Sequence, residues 1–266
     1  MYDNFNRKIN YLRISITDRC NLRCQYCMPE DGIKLLQHQD ILSLEEIVAF
    51  TKIAVSKGID KVRVTGGEPL VRKGVVNLVK LLAEIKGIKD LSMTTNGVLL
   101  EEFAKPLANA GLKRINISLD TVDTDRYNEL TRGGDLKKVI KGIVAAKAAS
   151  LTPIKINCVV NESSDEPDAI GVKAFCDTMG LVVRFIHRMN LHTGEFEIVE
   201  GGSGGNCELC NRLRLSSDGK LRPCLFNDIA VNIRETGYEK AIDLAIAQKP
   251  ECGTVSSMNK FNEIGG

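Results

Sequence analysis

Histidine is scarce in this 266-residue chain, with three in total, at His38, His187 and His192. None of them lies within or beside the first cysteine group, Cys20 to Cys27, so a zinc site there would have no imidazole to complete it. No run of 18 or so apolar residues occurs, which excludes a conventional membrane-spanning helix. The polar opening MYDNFNRKIN has no apolar core of the kind a secretory signal needs. A cytoplasmic protein without a membrane partner is expected. Charge of one sign is not in excess either: 36 Lys and Arg stand against 34 Asp and Glu, a formal net charge of +2. That balance gives no global electrostatic case for binding nucleic acid, so any anionic ligand must be met by a local pocket.

What is abundant is cysteine, nine residues in a chain expected in a reducing compartment, where clustered thiols are better read as metal ligands than as disulfides. Six of them fall in two groups, Cys20, Cys24 and Cys27, then Cys207, Cys210 and Cys224. Cys158, Cys176 and Cys252 stand apart and read as structural or incidental.

Hydrophobic periodicity supplies the frame. Alternating runs near 11–17, 61–65, 91–95, 114–119, 154–160 and 182–186 read as strands. Helical periodicity near 74–85, 101–110, 136–148 and 165–179 lies between them, and Ser43-Leu-Glu-Glu46 is a capping box opening an earlier helix. Six βα units imply a parallel sheet with right-handed crossovers, too few for an eight-stranded barrel. The expectation is an α/β fold, a partial (βα)6 TIM-like barrel over residues 1–186. Residues 187–266 should form a small C-terminal extension carrying the second cysteine group. The flexible Gly201-Gly-Ser-Gly-Gly205 tract lies between the two parts of that extension. In such sheets ligands bind at the carboxyl ends of strands, and the first cysteine group follows the first strand directly.

Three thiolates in one compact loop leave one iron of a four-iron cluster open to an external ligand. A zinc ion would want a fourth Cys or His close by, and the first loop offers none. The second group, Cys207-Glu-Leu-Cys210 with Cys224 fourteen positions on, admits a structural zinc ribbon or a second open cluster. Arg212 and Arg214, two positions apart on an extended stretch, would point the same way and form a fork for a polyanion. Thr65-Gly-Gly-Glu-Pro69 ends the second strand with glycines that permit close backbone approach, and with a carboxylate.

The Cys20-Asn-Leu-Arg-Cys24-Gln-Tyr-Cys27 spacing and the Gly-Gly-Glu-Pro turn resemble the radical S-adenosylmethionine (SAM) superfamily. With Cys210-Asn-Arg-Leu-Arg-Leu, Arg222-Pro-Cys224-Leu-Phe and the terminal Ile264-Gly265-Gly266, the chain closely resembles the GTP 3′,8-cyclase family of molybdenum cofactor biosynthesis. That resemblance implies two 4Fe-4S clusters, on Cys20, Cys24 and Cys27 and on Cys207, Cys210 and Cys224, with SAM as cofactor. It places Tyr26, Gly67, Glu68, Ser118 and Met189 at SAM, and Arg13, Lys61, Arg63, Thr94, Asn96, Lys155, Arg184, Arg212 and Arg214 at GTP. It gives Arg212, Arg214, Gly265 and Gly266 catalytic roles. It also implies an electron donor protein, a downstream cyclic pyranopterin monophosphate synthase, and a monomer or homodimer. Only twenty residues separate Ile186 from Cys207, several tens fewer than the family typically carries. A paralogue acting on a peptide or another small molecule is the alternative enzyme, and a non-catalytic iron–sulfur module the alternative outside enzymes.

Overall fold

The computed structural model describes residues 1–259 and 261–264. One nine-stranded sheet runs in the order β6-β5-β4-β3-β2-β1-β7-β8-β9. Its first six strands are β1 (Tyr11–Ser15), β2 (Lys61–Thr65), β3 (Asp90–Thr95), β4 (Arg114–Ser118), β5 (Ile154–Val160) and β6 (Val182–His187), each parallel to its neighbour. The sheet does not close, so the partial barrel expected from six βα units is what forms.

Helices cover the outer face: α1 (Leu44–Ser56), α2 (Val75–Ala83), α3 (Leu100–Asn109), α4 (Thr124–Thr131), α5 (Leu136–Ala148) and α6 (Pro167–Met179). The Ser43 hydroxyl accepts from the Glu46 N–H while the Glu46 carboxylate accepts from the Ser43 N–H, so the α1 capping box is complete. Strand alternation sorts side chains between the two faces. On β5, Ile154, Ile156, Cys158 and Val160 are buried against the helices, while Lys155, Asn157 and Val159 point to the other, partly open face.

The chain after β6 returns to the sheet. β7 (Arg212–Leu215) pairs parallel with β1, and β8 (Lys220–Arg222) and β9 (Val231–Asn232) add antiparallel beyond it. Helices α7 (Ile233–Thr236) and α8 (Tyr238–Ala247) follow, and α9 (Phe261–Ile264) contacts β1. Leu213, Leu215, Leu221, Ile242 and Ala245 pack into the same core as Leu12, Ile14 and Val62. Burying each such leucine or isoleucine contributes roughly 1.5–3 kcal/mol. The C-terminal part is thus joined to the barrel by sheet hydrogen bonds and a shared core. Among the described residues no helix is long and apolar enough to cross a membrane.

Candidate active site

Strand register builds one wall of the site. Arg214, Arg13, Arg63, Ser92 and Arg114 stand opposite one another in turn across β7, β1, β2, β3 and β4, a row with four arginines in five positions. The adjacent row holds Arg212, Tyr11, Lys61 and Asp90. The Tyr11 ring lies beneath two guanidinium groups, 5.5 Å from Arg63 and 5.9 Å from Arg212. Arg63 donates to Ser92 at 3.3 Å, and Arg114 is paired with Asp90 at 2.5 Å.

These rows line a cavity of roughly 370 Å³, large enough for a nucleotide-sized ligand. Seven basic side chains and two acidic ones, Asp90 and Glu197, face it. Burial lowers the pKa of Arg13, Arg63, Arg184 and Arg214, and neighbouring arginines lower it further. Packed cations held partly out of water favour a polyanion that restores charge balance. The buried Arg184 Nε and Tyr11 hydroxyl have no hydrogen-bond partner among the described residues, as expected of groups shaped for a ligand.

Cys207, Cys210 and Cys224 line the same cavity, with Cys210 and Cys224 close to Arg214. Lys249, 3% exposed, donates to Cys210 Sγ at 3.5 Å, to the Arg212 carbonyl at 3.0 Å and to the Pro223 carbonyl at 2.5 Å. Burial alone would raise the Cys210 pKa, but Lys249, the Arg212 N–H and the arginines outweigh it and hold the thiol below its ordinary value. Burial raises the Cys224 pKa despite Lys249 and Arg214, so the cations favour the thiolate at Cys210, the form that ligates a metal.

A second cavity, of roughly 210 Å³, is lined by Cys20, Cys24 and Cys27 together with Tyr26, Gly66, Gly67, Ser118 and Asp120. Here the thiols have no such help. Burial pushes Cys24 up to about 12 and Cys27 up to about 11, and the neighbouring cysteines add to it. Three half-buried thiols that resist ionisation together suit a multiply charged metal cluster, which supplies the missing positive charge. Thr94 Oγ1 on this wall is buried with no hydrogen-bond partner among the described residues.

The Gly-Gly-Glu turn is fixed by contact with the chain leading into the cysteine loop. Gly67 donates its N–H to the Thr17 carbonyl at 2.7 Å, and Glu68 donates its N–H to the Arg19 carbonyl at 2.8 Å. A Cβ on Gly67 would stand 2.4 Å from the Arg19 carbonyl oxygen, so the close approach that requires glycine is backbone to backbone. Glu68 is fully buried and does not line the cavity. Its carboxylate accepts from Thr95 Oγ1 at 2.7 Å, the Asn96 N–H at 2.7 Å and the Leu70 N–H at 3.0 Å, and burial raises its pKa to about 7.

The residues singled out in the sequence distribute as follows. Arg13, Lys61, Arg63, Arg184, Arg212 and Arg214 meet in the arginine cavity. Thr94 and Asn96, expected with them, line the first-cysteine cavity, because β3 ends beside the Gly-Gly-Glu turn; Asn96 donates to Asn21 Oδ1 at 2.8 Å. Lys155 lines neither cavity and sits near Arg184, Arg114 and Arg63. Tyr26, Gly67 and Ser118 line the first-cysteine cavity. Gly265 and Gly266 lie outside the described residues.

Met189 belongs to both cavities, as do Asn157 and Ile186. The two cavities therefore share a wall, and a ligand in each would face the other across these three side chains. Sequence reasoning missed Asn157, Arg114, Asp120 and Lys249. Asp120 accepts from the Tyr26 hydroxyl and from the Val159 N–H at 2.8 Å, and burial raises its pKa to about 6. One reading of the sequence is corrected: Cys252 is not remote from the second group, since its Sγ lies 2.9 Å from Cys207 Sγ.

Comparison with known proteins agrees with this arrangement. The Radical SAM superfamily profile matches residues 14–167, and the Molybdenum Cofactor Synthesis C profile matches residues 180–251. The GTP 3′,8-cyclase of Alkaliphilus metalliredigens is 41% identical, covering all of both chains over 321 aligned positions against the 266 residues here. That of Thermodesulfovibrio yellowstonii is 44% identical over 88% of this chain and 87% of its own. Among solved structures, Streptococcus suis SuiB bound to S-adenosylmethionine superposes with a TM-score of 0.65 at 17% identity, over 91% of this chain and 64% of that one, a likeness of fold. The chain belongs to the radical SAM superfamily and, within it, to the GTP 3′,8-cyclase family.

Proposed function

We propose that this chain converts GTP into (8S)-3′,8-cyclo-7,8-dihydroguanosine 5′-triphosphate, the first step of molybdenum cofactor biosynthesis. The observation that carries the reading is the shared wall. A basic cavity lined by one cysteine group shares Asn157, Ile186 and Met189 with a cavity lined by the other.

Cys20, Cys24 and Cys27 would hold a 4Fe-4S cluster in the smaller cavity, with SAM beside it along Tyr26, Gly67 and Ser118. Cys207, Cys210 and Cys224 would hold a second one in the larger cavity. When reduced and loaded, the first cluster and SAM supply a carbon radical able to take a hydrogen atom from the ribose. The protein's own residues position and shield. Arg13, Arg63 and Arg214 hold a triphosphate, whose roughly four negative charges call for several such partners. Glu68 ties the end of β3 to the Gly-Gly-Glu turn, fixing Thr94 and Asn96 on the cavity wall. Ile186 and Met189 put apolar side chains on the shared wall and so keep water from a reactive centre. The reacting atoms must come within roughly 3–3.5 Å, which two ligands anchored in facing cavities can satisfy. An electron donor protein and a downstream synthase that takes the cyclised nucleotide complete the reading.

The test is anaerobic turnover of the reconstituted, reduced chain with SAM, with and without GTP. The reading requires GTP-dependent 5′-deoxyadenosine and a cyclised nucleotide. Equal 5′-deoxyadenosine in both samples, with GTP recovered intact, contradicts it.

A further inference from the structure

Cys252 has no part in the reading above, yet it is held against one of the second cage's ligands. Its S–H donates to Cys207 Sγ at 2.9 Å, against an S–S bond of about 2.03–2.05 Å, so the sulfurs need approach by only about a further 0.9 Å to bond. The backbone around the pair is clamped. Arg7, buried and paired with Asp3 at 2.7 Å, donates through Nη1 to both the Cys207 carbonyl at 2.7 Å and the Glu251 carbonyl at 2.6 Å. Its Nη2 donates to the Pro250 carbonyl at 2.6 Å. One guanidinium thus fastens both cysteine-bearing segments together. Lys249 ties the second segment to Cys210, and Gly253 sits so near the cage that a Cβ on it would stand 3.1 Å from Cys224 Sγ. Cys252 itself is exposed, and Cys207 is half-buried at the cavity wall, so a small oxidant in solvent can reach both.

We propose that Cys207 and Cys252 form a redox latch: in chain lacking the second cluster the two thiols close to a disulfide, which removes Cys207 from the ligand set until it is reduced. The oxidant is a small-molecule disulfide such as oxidised glutathione. Cys207, the acceptor of the Cys252 S–H, attacks one sulfur of the oxidant as a thiolate and expels the first small thiolate. Cys252 then loses its proton to solvent, attacks Cys207 Sγ in the mixed disulfide and expels the second. In sum, two protein thiols and one disulfide give one protein disulfide and two small thiols, with two electrons passed to the oxidant. Iron bound to Cys207 engages the same sulfur and prevents closure. The effect on cluster assembly rests on the proposed function's assignment of Cys207 as a ligand; closure of the disulfide does not.

The experiment compares the full chain as reconstituted holoenzyme and after removal of iron by a chelator, both exposed anaerobically to oxidised glutathione, alkylated and mapped by mass spectrometry. The expected result is a Cys207–Cys252 cross-linked peptide in the iron-free sample and not in the holoenzyme. Iron taken up from a cluster-carrying scaffold protein without added thiol should fall about twofold in the oxidised sample, as for loss of one of two four-iron clusters, and recover on reduction. Cys252→Ser, an exposed substitution, should form no such cross-link and instead keep the glutathione mixed disulfide on Cys207, because the resolving thiol is gone. Alkylation of both Cys207 and Cys252 in the oxidised iron-free chain, or a wild-type chain that stops at glutathionylated Cys207 just as Cys252→Ser does, overturns the latch. Reduced chain that binds only about four irons contradicts the second cluster instead, leaving the cross-link to judge the latch.

Discussion

Arg13 and Arg214 are direct partners in the register between β1 and β7. Like charges placed opposite one another in a sheet oppose pairing, so this arrangement is retained against its local cost. An anionic ligand resolves that conflict. Arg214→Gln is therefore expected to weaken GTP binding about 10–100-fold, the loss of one or more charge-assisted hydrogen bonds at 1.5–3 kcal/mol each, while the melting temperature of the ligand-free chain stays within a few degrees of wild type. Calorimetric titration with GTP and a thermal melt check both halves. A variant that melts far lower with unchanged GTP affinity would assign Arg214 to folding.

The wall shared by the cavities should govern coupling rather than binding. Ile186→Trp, which thickens that shared wall, is expected to change the affinities for SAM and for GTP less than about tenfold yet lower turnover at least 100-fold, because misplacement by about 1 Å costs about that much. Separate binding isotherms and single-turnover product yields distinguish this from simple loss of a ligand.

Glu68 carries a stability signature in pH. Its pKa stands at about 7 in the folded chain, against about 4.3 when unfolded, because burial disfavours the carboxylate. Between those values the native chain holds a proton that the unfolded chain has lost, so stability falls as pH rises from about 4.3 to about 7 and the loss is complete above that. The loss is on the order of 3 kcal/mol. Glu68→Gln cannot ionise, so its deficit relative to wild type in urea unfolding should shrink between pH 5 and pH 8. A deficit that is constant across this range would show that Glu68 does not titrate there.

Lys249 is expected to hold the second cage and not the first. Lys249→Met removes its bonds to Cys210 Sγ and to the Arg212 and Pro223 carbonyls, leaving those buried acceptors unmatched at about 1–3 kcal/mol each. Iron analysis should show loss from the second site with the first intact; an unchanged iron count would make Lys249 dispensable.

Much of this site was legible in the sequence because it is carried by local spacing. The 61–65 and 154–160 strands coincide with β2 and β5, and the alternation that puts Arg212 and Arg214 on one face is a property of any extended segment. What escaped depends on contacts between distant segments. Cys252 and Lys249 are brought to the cage by a turn after α8 that no periodicity announces, and Arg114 gains its place from the register of β3 with β4. Helix α4 was missed because only Tyr127 and Thr131 are buried on it, too few for an apolar stripe. Helix α8 does bury Ala241, Ile242, Ala245 and Ile246 at helical spacing, a signal present in the sequence and not used.

The central claim is that a radical formed in the cysteine-lined cavity reaches a nucleotide held by the arginines through the Asn157, Ile186 and Met189 wall. Turnover with GTP deuterated at the ribose 3′ position tests it most directly, read by the mass of the 5′-deoxyadenosine produced. The account predicts 5′-deoxyadenosine heavier by one deuterium and a cyclised nucleotide in equal amount. Unlabelled 5′-deoxyadenosine, formed at the same rate whether or not GTP is present, would contradict it.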